Sequence, residues 1–322
     1  MVRPISSVLS LLVLGLGLVI APRASADEAP SAPAAEDRDS FKLPLFVNNA
    51  LAYAYGPDYR APFVATASQP DGADIARSAL DFAHVDSWRY GHNLAELTLR
   101  RSNATEPAAG GGSGATEFYS IFRSGIAINR VAAKPVIRLG PLRDIDIQAG
   151  ADLQTKNTAF APNERTLYLG PRLLFILGDG FFNLGLQVRK EWNHNGILGT
   201  TENYDVDFNV EPTWSLPFRI SATRFVFDGF AEYNTPKGKD ASGRPTRAEL
   251  MARPEIKIDV GQWLGRAPGV IELGVAVEYW RNMFGKDGSI TPGATQTTPV
   301  LTFTMHWSGR RAPDTDARSQ LR

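Results

Sequence analysis

The stretch that decides the fold is Arg143–Gln154, which reads RDIDIQAGADLQ. Every second residue from Asp144 to Gln154 is polar or glycine, and the residues between them are apolar. Successive side chains of a strand point to opposite faces, so the segment predicts a strand with one polar and one apolar face. A helix would mix the two sets around its axis. The pattern fits a half-buried strand of a soluble sandwich, and it also fits a barrel strand with water inside and lipid outside.

The same alternation recurs along the chain and predicts about twelve strands of roughly 10 residues, the length of a tilted barrel strand. In the strand from Ser78 to Trp88 the outward face stays open, because neither parity is wholly apolar. The predicted strands are Leu45–Gly56, Ser78–Trp88, Asn93–Arg100, Glu117–Asn129, Arg143–Gln154, Arg165–Leu177, Phe182–Trp192, Tyr204–Trp214, Arg224–Tyr233, Glu249–Val260, Ile271–Arg281 and Thr298–Trp307.

The N-terminus has the features of a secretory signal peptide. Arg3 supplies the positive charge, Leu9–Ile20 is apolar, and Ala24-Ser25-Ala26 is a small-residue cleavage pattern. We predict a signal peptide over residues 1–26; a membrane anchor is the alternative, but the apolar run is short for a span of about 20 residues. Residues 27–44 then form a flexible linker, 45–307 the barrel and 308–322 a polar tail.

Composition narrows the function classes. The chain has 322 residues, a formal net charge of +0 and no cysteine. Disulfides, cysteine zinc sites and thiol catalysis are therefore excluded, and the neutral charge argues against a nucleic-acid partner. No segment after the signal peptide is long and apolar enough for a membrane-spanning helix, and a chain without one spans a membrane only as a closed barrel. We expect no helix there, no metal site and no cofactor.

Connection lengths also favour a membrane barrel over a sandwich. Short or modest connections, through Gly91, Pro141, Gly180, Pro217 and Gly265, alternate with longer polar ones around Pro62, Gly111, Asn157, Gly196, Gly238 and Gly288. Outer-membrane barrels have short periplasmic turns and longer extracellular loops, whereas a sandwich gives no reason for the alternation. We predict an all-β transmembrane antiparallel barrel of about 12 strands in the bacterial outer membrane.

Such a barrel has outer-membrane lipid and the barrel-assembly machinery as partners. Its outward face carries aromatic girdles near both interfaces. The candidates for these girdles are Tyr168, Trp192, Tyr204, Trp214, Tyr233, Tyr279 and Trp307.

Three stretches resemble one known family. Ile75–Asn93 reads IARSALDFAHVDSWRYGHN, Arg253–Asp259 reads RPEIKID, and Ile271–Gly288 reads IELGVAVEYWRNMFGKDG. They resemble strands of the nucleoside-specific channel-forming outer-membrane porins, the Tsx-like family, over roughly Phe46 to Trp307. The chain departs from that pattern at His92, where the family commonly has Asp, and in its polar tail. The resemblance implies passive passage of nucleosides or similar small polar solutes.

The polar parity of the strands supplies candidate substrate-binding residues for the interior. Carboxylates, bases and amides there can hydrogen-bond sugar hydroxyls and base edges, and aromatic rings such as Tyr119, Tyr168 and Trp280 can stack on a flat base. The alternative is that these groups only pair with one another. The candidates are Glu117, Tyr119, Arg123, Asp146, Arg189, Glu191, Asp207, Arg224, Asp228, Arg253, Glu255, Glu278 and Trp280.

An enzymatic function is not favoured. A lipid hydrolase of the outer membrane needs a His and a Ser together on the lipid side. None of the four histidines, His84, His92, His194 and His306, stands in a His-x-Ser arrangement on a clear lipid parity. The GGGSG run at Gly110–Gly114 lacks the following Lys-Ser/Thr of a phosphate loop. We therefore expect a selective channel, with a non-conducting barrel that acts as a receptor or structural anchor as the alternative.

Overall fold

The computed structural model describes residues 46–308, which form one closed sheet of antiparallel strands. The strands are β1 (Phe46–Tyr59), β2 (Ile75–Trp88), β3 (Gly91–Ser102), β4 (Thr116–Ala127), β5 (Leu142–Lys156), β6 (Asn163–Leu177), β7 (Gly180–Asn195), β8 (Thr200–Asn203), β9 (Asp207–Ile220), β10 (Thr223–Asn234), β11 (Glu249–Asp259), β12 (Ile271–Arg281) and β13 (Thr295–Ser308). The predicted signal peptide, the linker and the tail beyond Ser308 lie outside the described residues.

Closure of the sheet comes from pairing between the first and last strands. β1 pairs with β13 in a register that sets Asn49 opposite Trp307 and Tyr55 opposite Leu301. The short β8 pairs only with β7, which also pairs with β9, so β8 is an addition at one rim. The remaining twelve strands close the ring and leave no edge for another chain to extend. The predicted count of about twelve strands is confirmed.

Alternating burial along β5 confirms the pattern read from the sequence. Asp146 and Asp152 are 0% and 3% exposed, whereas Ile147 and Leu153 are 49% and 48% exposed. The polar side chains therefore fill the interior and the apolar ones cover the outside. A surface of this kind is stable against lipid tails and not against water, so the chain is a transmembrane β-barrel.

The facing of β2 is settled by its contacts. Leu80 is 48% exposed on the outside. Asp81 points inward, where it accepts a hydrogen bond of 2.6 Å from the Thr98 hydroxyl. His84 shares the outward parity with Leu80 and lies 2.8 Å from the Asn49 amide oxygen.

Six prolines lie inside strands, and four of them occupy outward positions in the middle of a strand: Pro171, Pro212, Pro254 and Pro299. The other two, Pro57 and Pro217, lie nearer the strand ends. Proline has no N–H to donate to a sheet, so it weakens pairing locally. The ladder between β11 and β12 omits Arg253 and Pro254 and resumes in the same register. The predicted strand around Pro254 therefore holds despite the missing donor.

The connections follow the predicted alternation only in part. At one end of the barrel, called here the short-turn end, residues 89–90, 178–179 and 221–222 form two-residue turns. Two connections at that end are longer, 128–141 and 260–270. The opposite, long-loop end carries 60–74, 103–115, 157–162, 196–206, 235–248 and 282–294. The expected turn at Pro217 is wrong, because Pro217 lies within β9 and the chain reverses after Ile220.

The expectation of no helix is also wrong for one connection. A single helical turn, α1 (Ile128–Ala132), follows β4, so the predicted strand ends two residues early. Arg130 holds the turn in place by donating to the backbone oxygens of Trp88 (2.6 Å) and Gly91 (3.2 Å). Five residues are too few to show a helical period in sequence. Within residues 46–308 no helix has the length and apolar character needed to cross a membrane.

The aromatic girdle is confirmed for four of its seven candidates. Trp192, Tyr233, Tyr279 and Trp307 lie on outward positions near strand ends. The other three are corrections. Tyr168 faces the interior at 5% exposure and Tyr204 is buried in the connection before β9. Trp214 faces outward in the middle of β9, where its ring covers Gly229.

Candidate functional site

The candidate site is the interior surface of the barrel. All thirteen residues named from sequence occupy inward positions: Glu117, Tyr119, Arg123, Asp146, Arg189, Glu191, Asp207, Arg224, Asp228, Arg253, Glu255, Glu278 and Trp280. They do not gather into one pocket. They are spread around the wall and along its height, and most are held in separate hydrogen-bonded groups.

One group on β4, β5 and β6 is centred on Asp152. Its carboxylate is ion-paired with Arg123 and accepts hydrogen bonds from the hydroxyls of Tyr119 (2.9 Å) and Tyr168 (3.1 Å). The Arg123 guanidinium lies 4.2 Å from the centre of the Tyr168 ring. Both the hydroxyl and one face of Tyr168 are therefore occupied, and this ring is not free to stack on a solute.

A second group lies closer to the short-turn end and is centred on Asp146. Arg172 donates to its carboxylate at 2.9 Å, and His92 Nε2 approaches the same oxygen at 2.9 Å. Asp146 is 0% exposed, so Arg172 and His92 hold a buried carboxylate that is not accessible to a solute.

Glu106 brings the connection between β3 and β4 into the barrel. Its carboxylate pairs with Arg77 at 3.2 Å and Lys156 at 2.5 Å and accepts a hydrogen bond from Ser102 at 2.5 Å. Burial by itself raises the pKa of Glu106, but the two cations outweigh burial and hold the pKa below its usual range. Lys156 also reaches Glu117 at 3.1 Å, so the connection is continuous with the wall.

The connection between β10 and β11 enters the barrel in the same way. Lys237 is 3% exposed, is ion-paired with Glu191, and lies 4.4 Å from the centre of the Tyr204 ring. Beside it, Arg189 pairs with Asp207 at 2.7 Å. Sequence reasoning missed Glu106 and Lys237, because both lie in segments without strand alternation and nothing in the sequence marks them as buried.

The interior at the short-turn end holds a third set of mixed charges. Lys257 pairs with Asp228 at 2.5 Å and reaches Glu272 at 3.4 Å. Arg224 and His306 approach Glu272 at 3.1 Å and 3.4 Å. These residues line a cleft that opens at the short-turn end, beneath the connection between β11 and β12.

Small side chains on one part of the wall leave open space in the interior. β1 presents Ala50, Ala52, Ala54 and Gly56 to the interior. Toward the long-loop end this wall is sealed by apolar packing of Ala54, Tyr59, Ile75, Ala276 and Val300, which are 0–6% exposed. Ala50 and Ala52 are partly exposed, which places open space beside them.

Several charged groups border the open interior without an ion-pair partner. Within residues 46–308, no cation lies within 4 Å of the carboxylates of Glu96 and Glu211, and no carboxylate lies as close to the Arg253 guanidinium; all three side chains are partly exposed. The described residues contain no group of three or more His, Asp and Glu side chains placed to hold a metal ion.

Comparison with known proteins identifies no family. No family model matches the sequence, and no curated protein matches it. Among solved structures, an outer-membrane channel from Pseudomonas putida F1 matches with a TM-score of 0.47 and 10% identity over 85% of this chain and 100% of that chain. The translocator domain of the autotransporter NalP from Neisseria meningitidis matches with a TM-score of 0.39 and 12% identity over 84% of this chain and 90% of that chain.

A third match is OpdK from Pseudomonas aeruginosa with vanillate, at a TM-score of 0.25 and 6% identity, covering 81% of this chain and 98% of that chain. The chain is similar to each of these proteins in structure. At TM-scores this low, the similarity assigns neither a family nor an activity to the chain. The assignment of a transmembrane barrel therefore rests on the closed sheet, the apolar exterior and the charged interior of this chain.

Proposed function

We propose that this barrel is an outer-membrane channel for passive, selective diffusion of small polar solutes, with nucleosides as the named candidates. The observation that carries the proposal is an interior with partly exposed polar side chains at every level. Arg224 and Asp228 lie near the short-turn end, Glu96 and Thr213 near mid-height, and Arg100 toward the long-loop end. A twelve-stranded barrel has room for a narrow aqueous path of this kind.

Solute recognition would use the groups that border that path. Carboxylates accept hydrogen bonds from sugar hydroxyls and exocyclic amines, and a guanidinium donates to carbonyl oxygens. Tyr119 is partly exposed and provides an aromatic surface. Many weak contacts of this type favour passage over tight binding, because a solute must leave as readily as it enters. The resemblance of Ile75–Asn93 to nucleoside channels is the reason for naming nucleosides.

The chain's orientation follows from its connections. Outer-membrane barrels place their long loops outside the cell and their tight turns in the periplasm. The long-loop end of this barrel would then receive solute from outside, and the cleft around Arg224 and Glu272 would release it.

One observation favours a different function, that of a non-conducting receptor or anchor. Glu106 and Lys237 fix two connections of the long-loop end inside the barrel. If these segments close the path, the barrel presents its loops to a partner and passes nothing.

Planar-bilayer recording of the purified protein separates the two functions. A channel gives discrete conductance steps, and addition of a nucleoside reduces the current through the occupied path. A correctly inserted barrel that gives no steps overturns the channel and leaves the receptor. Steps that no nucleoside affects keep the channel and remove nucleosides as its solutes.

A further inference from the structure

The charges that border the interior are strongly unequal once paired groups are set aside. Nine inward bases have an acidic partner within 4 Å: Arg77, Arg100, Arg123, Lys156, Arg172, Arg189, Arg224, Lys237 and Lys257. Among the inward residues of the described barrel, nine carboxylates have no cationic side chain within that distance. These nine, called here the unpaired acids, are Asp81, Glu96, Asp144, Glu164, Glu211, Glu232, Glu249, Glu255 and Glu278.

Two inward bases of the described barrel strands lack an acidic partner within 4 Å. Arg219 lies exposed at the end of β9, opposite Arg224. Arg253 lies farther inside the barrel and does not create a positive region. Its charge interacts with those of Glu278, Glu255 and Asp81, all of which belong to the unpaired acids. Its Nε atom is buried and has no hydrogen-bond acceptor in the described residues. Arg253 therefore offsets part of an acidic field and leaves an excess of negative charge around it.

Side-chain amides beside one of the unpaired acids leave two oxygen acceptors and one nitrogen donor, Gln148 Nε2, without partners in the described residues. Gln187 and Asn209 face each other on β7 and β9 and are 2% and 1% exposed. Gln187 Oε1 and Asn209 Oδ1 have no hydrogen-bond donor within the described residues. The amide nitrogen of Asn209 is used, because it donates to Glu232 at 2.9 Å. Two buried oxygen atoms beside an unpaired acid suit a ligand that donates hydrogen bonds or carries positive charge.

The lipid around the barrel strengthens the effect of these charges. Field lines from carboxylates in a water-filled passage with low-dielectric walls are concentrated in the passage, which raises the local concentration of counter-ions by tenfold or more. Nine partly or fully enclosed acids against two unpaired bases would attract cations and repel anions over much of the path.

We propose that the barrel selects for cations, and that among small polar solutes it favours those with an ammonium group or another positive charge over those with a carboxylate or phosphate. This inference rests on the proposed function as a channel. It adds the sign of charge that the path prefers, which the candidate nucleosides, being neutral, do not define.

The reversal potential of the full-length protein in a planar bilayer with unequal KCl concentrations on its two sides tests the proposal. We expect a reversal potential that corresponds to K⁺ permeating about tenfold better than Cl⁻. The double variant E96Q/E211Q should move the ratio toward one, and Arg253→Gln should raise it. Asp71→Asn, an exposed carboxylate in the connection between β1 and β2, is the matched control and should leave the ratio unchanged.

The outcomes separate the inference from the function on which it rests. Conductance with no preference or with a preference for Cl⁻ overturns cation selectivity and keeps the channel. A barrel that inserts without conducting overturns the channel, and titration with hexaamminecobalt(III) then decides the inference. Binding that is weaker in E96Q/E211Q than in the original chain supports an acidic interior site for cations, and equal binding overturns it.

Discussion

At the scale of single residues, Glu106 is a buried carboxylate that ties a connection to the barrel wall. It lies outside the strands, yet it is 3% exposed and joins Arg77, Ser102 and Lys156. A loop carboxylate in such a position fixes its loop, because two cations would lose their partner if the loop moved away.

Replacement of Glu106 by Gln keeps the volume and removes the charge. Arg77 then loses the one carboxylate within 4 Å of it in residues 46–308, and Lys156 keeps Glu117. We therefore expect a loss of about 1–3 kcal/mol in the free energy of unfolding. Urea unfolding in detergent micelles measures this loss, and limited proteolysis near Gly111 measures release of the loop. Asp71→Asn is the control. Unchanged stability together with unchanged protease resistance would remove Glu106 as an anchor.

Residue positions were predictable where a strand period applies and unpredictable elsewhere. Asp146 and Asp152 were assigned to the interior from parity alone, because a sheet turns every second side chain to the same face. Tyr168 was named both as a girdle candidate and as an interior aromatic ring, and only the interior placement agrees with its parity and its 5% exposure. Composition near a strand end suggested the interface, and the hydrogen bond to Asp152 that draws the ring inward depends on β5, which no local pattern of β6 reveals.

At the scale of elements, β10 depends on a glycine at a position that other residues rarely adopt. Gly229 has φ 151° and lies opposite both Trp214 and Pro254. A Cβ atom there would come within 2.6 Å of the Arg253 carbonyl oxygen and 2.8 Å of the Trp214 ring. The glycine therefore leaves room both for the backbone of β11 around Pro254 and for the Trp214 ring.

Gly229→Ala should cost about 1–3 kcal/mol of unfolding free energy, since the added methyl group meets backbone as well as ring and the φ value is unfavourable. Urea titration followed by tryptophan fluorescence reports the change. Gly185→Ala is the matched control, because a Cβ at Gly185 meets nothing closer than 3.5 Å. If the two variants unfold at the same urea concentration, the close approach around Gly229 is not a constraint.

Two connections at the long-loop end are joined by ion pairs that require their carboxylates to be ionised. Lys286 pairs with Asp240 at 2.7 Å and Arg247 with Asp287 at 2.8 Å. Partial burial raises the pKa of Asp240, but hydrogen bonds from Lys286, Ser242 and the Arg244 backbone outweigh burial and lower it to about 2. Hydrogen bonds from Ser289 and then Arg247 lower the pKa of Asp287 to about 2.

The fold therefore favours the ionised form of both carboxylates. Their contribution is complete above the ordinary pKa of 3.8 and disappears as the pH falls toward 2. Hydrogen exchange of residues 235–248 and 282–294 should stay slow, after correction for the intrinsic rate, at pH 5 and become faster at pH 2. Loops with equal protection at the two pH values would show that these pairs do not hold them together.

Elements were located well from sequence, and their ends less well. All twelve barrel strands appear, and all but one of their ends lie within three residues of the prediction, because alternation extends over most of each strand. The exception is β9, which continues to Ile220, six residues past the predicted end at Trp214. The end of β4 was misjudged, since Ile128 continues the apolar sequence while the backbone already turns into α1. Tethering of that helical turn by Arg130 is a tertiary contact, and the sequence of the connection alone does not contain it.

At the scale of the whole molecule, the exterior must be compatible with lipid at mid-height. Val275 and Leu301 face outward at 56% and 61% exposure and are paired across β12 and β13. A charge at the centre of the bilayer on this face costs about 2–4 kcal/mol for Arg or Lys.

Val275→Lys should therefore make folding into phospholipid vesicles less favourable by ~2–4 kcal/mol. Thr213→Lys, an inward and partly exposed position on β9, is the control and should cost clearly less, because its ammonium group lies in the aqueous interior. Folding yields against urea in vesicles measure both. A smaller penalty at Val275 than at Thr213 would contradict the assignment of outside and inside.

The architecture of the whole molecule was largely readable from sequence, whereas its permeability was not. Periodicity, the predicted signal peptide and the connection lengths together indicate a closed barrel, since few other folds satisfy all three. Whether a path stays open depends on Glu106 and Lys237, which enter the interior from connections, and on the small side chains of β1. Those are contacts between distant segments, and no period in the sequence encodes them.

The most direct test of the account is accessibility along the strands, and the absence of cysteine from the chain makes it practical. Single cysteines would carry nitroxide labels at the outward positions Leu97, Val275 and Leu301 and at the inward positions Glu96, Thr213 and Asp228, in the protein inserted into lipid vesicles. We expect collisions with oxygen to dominate at the outward set and collisions with a water-soluble nickel chelate to dominate at the inward set. Labels that show no such division, or the opposite one, would contradict a sheet with lipid outside and water within.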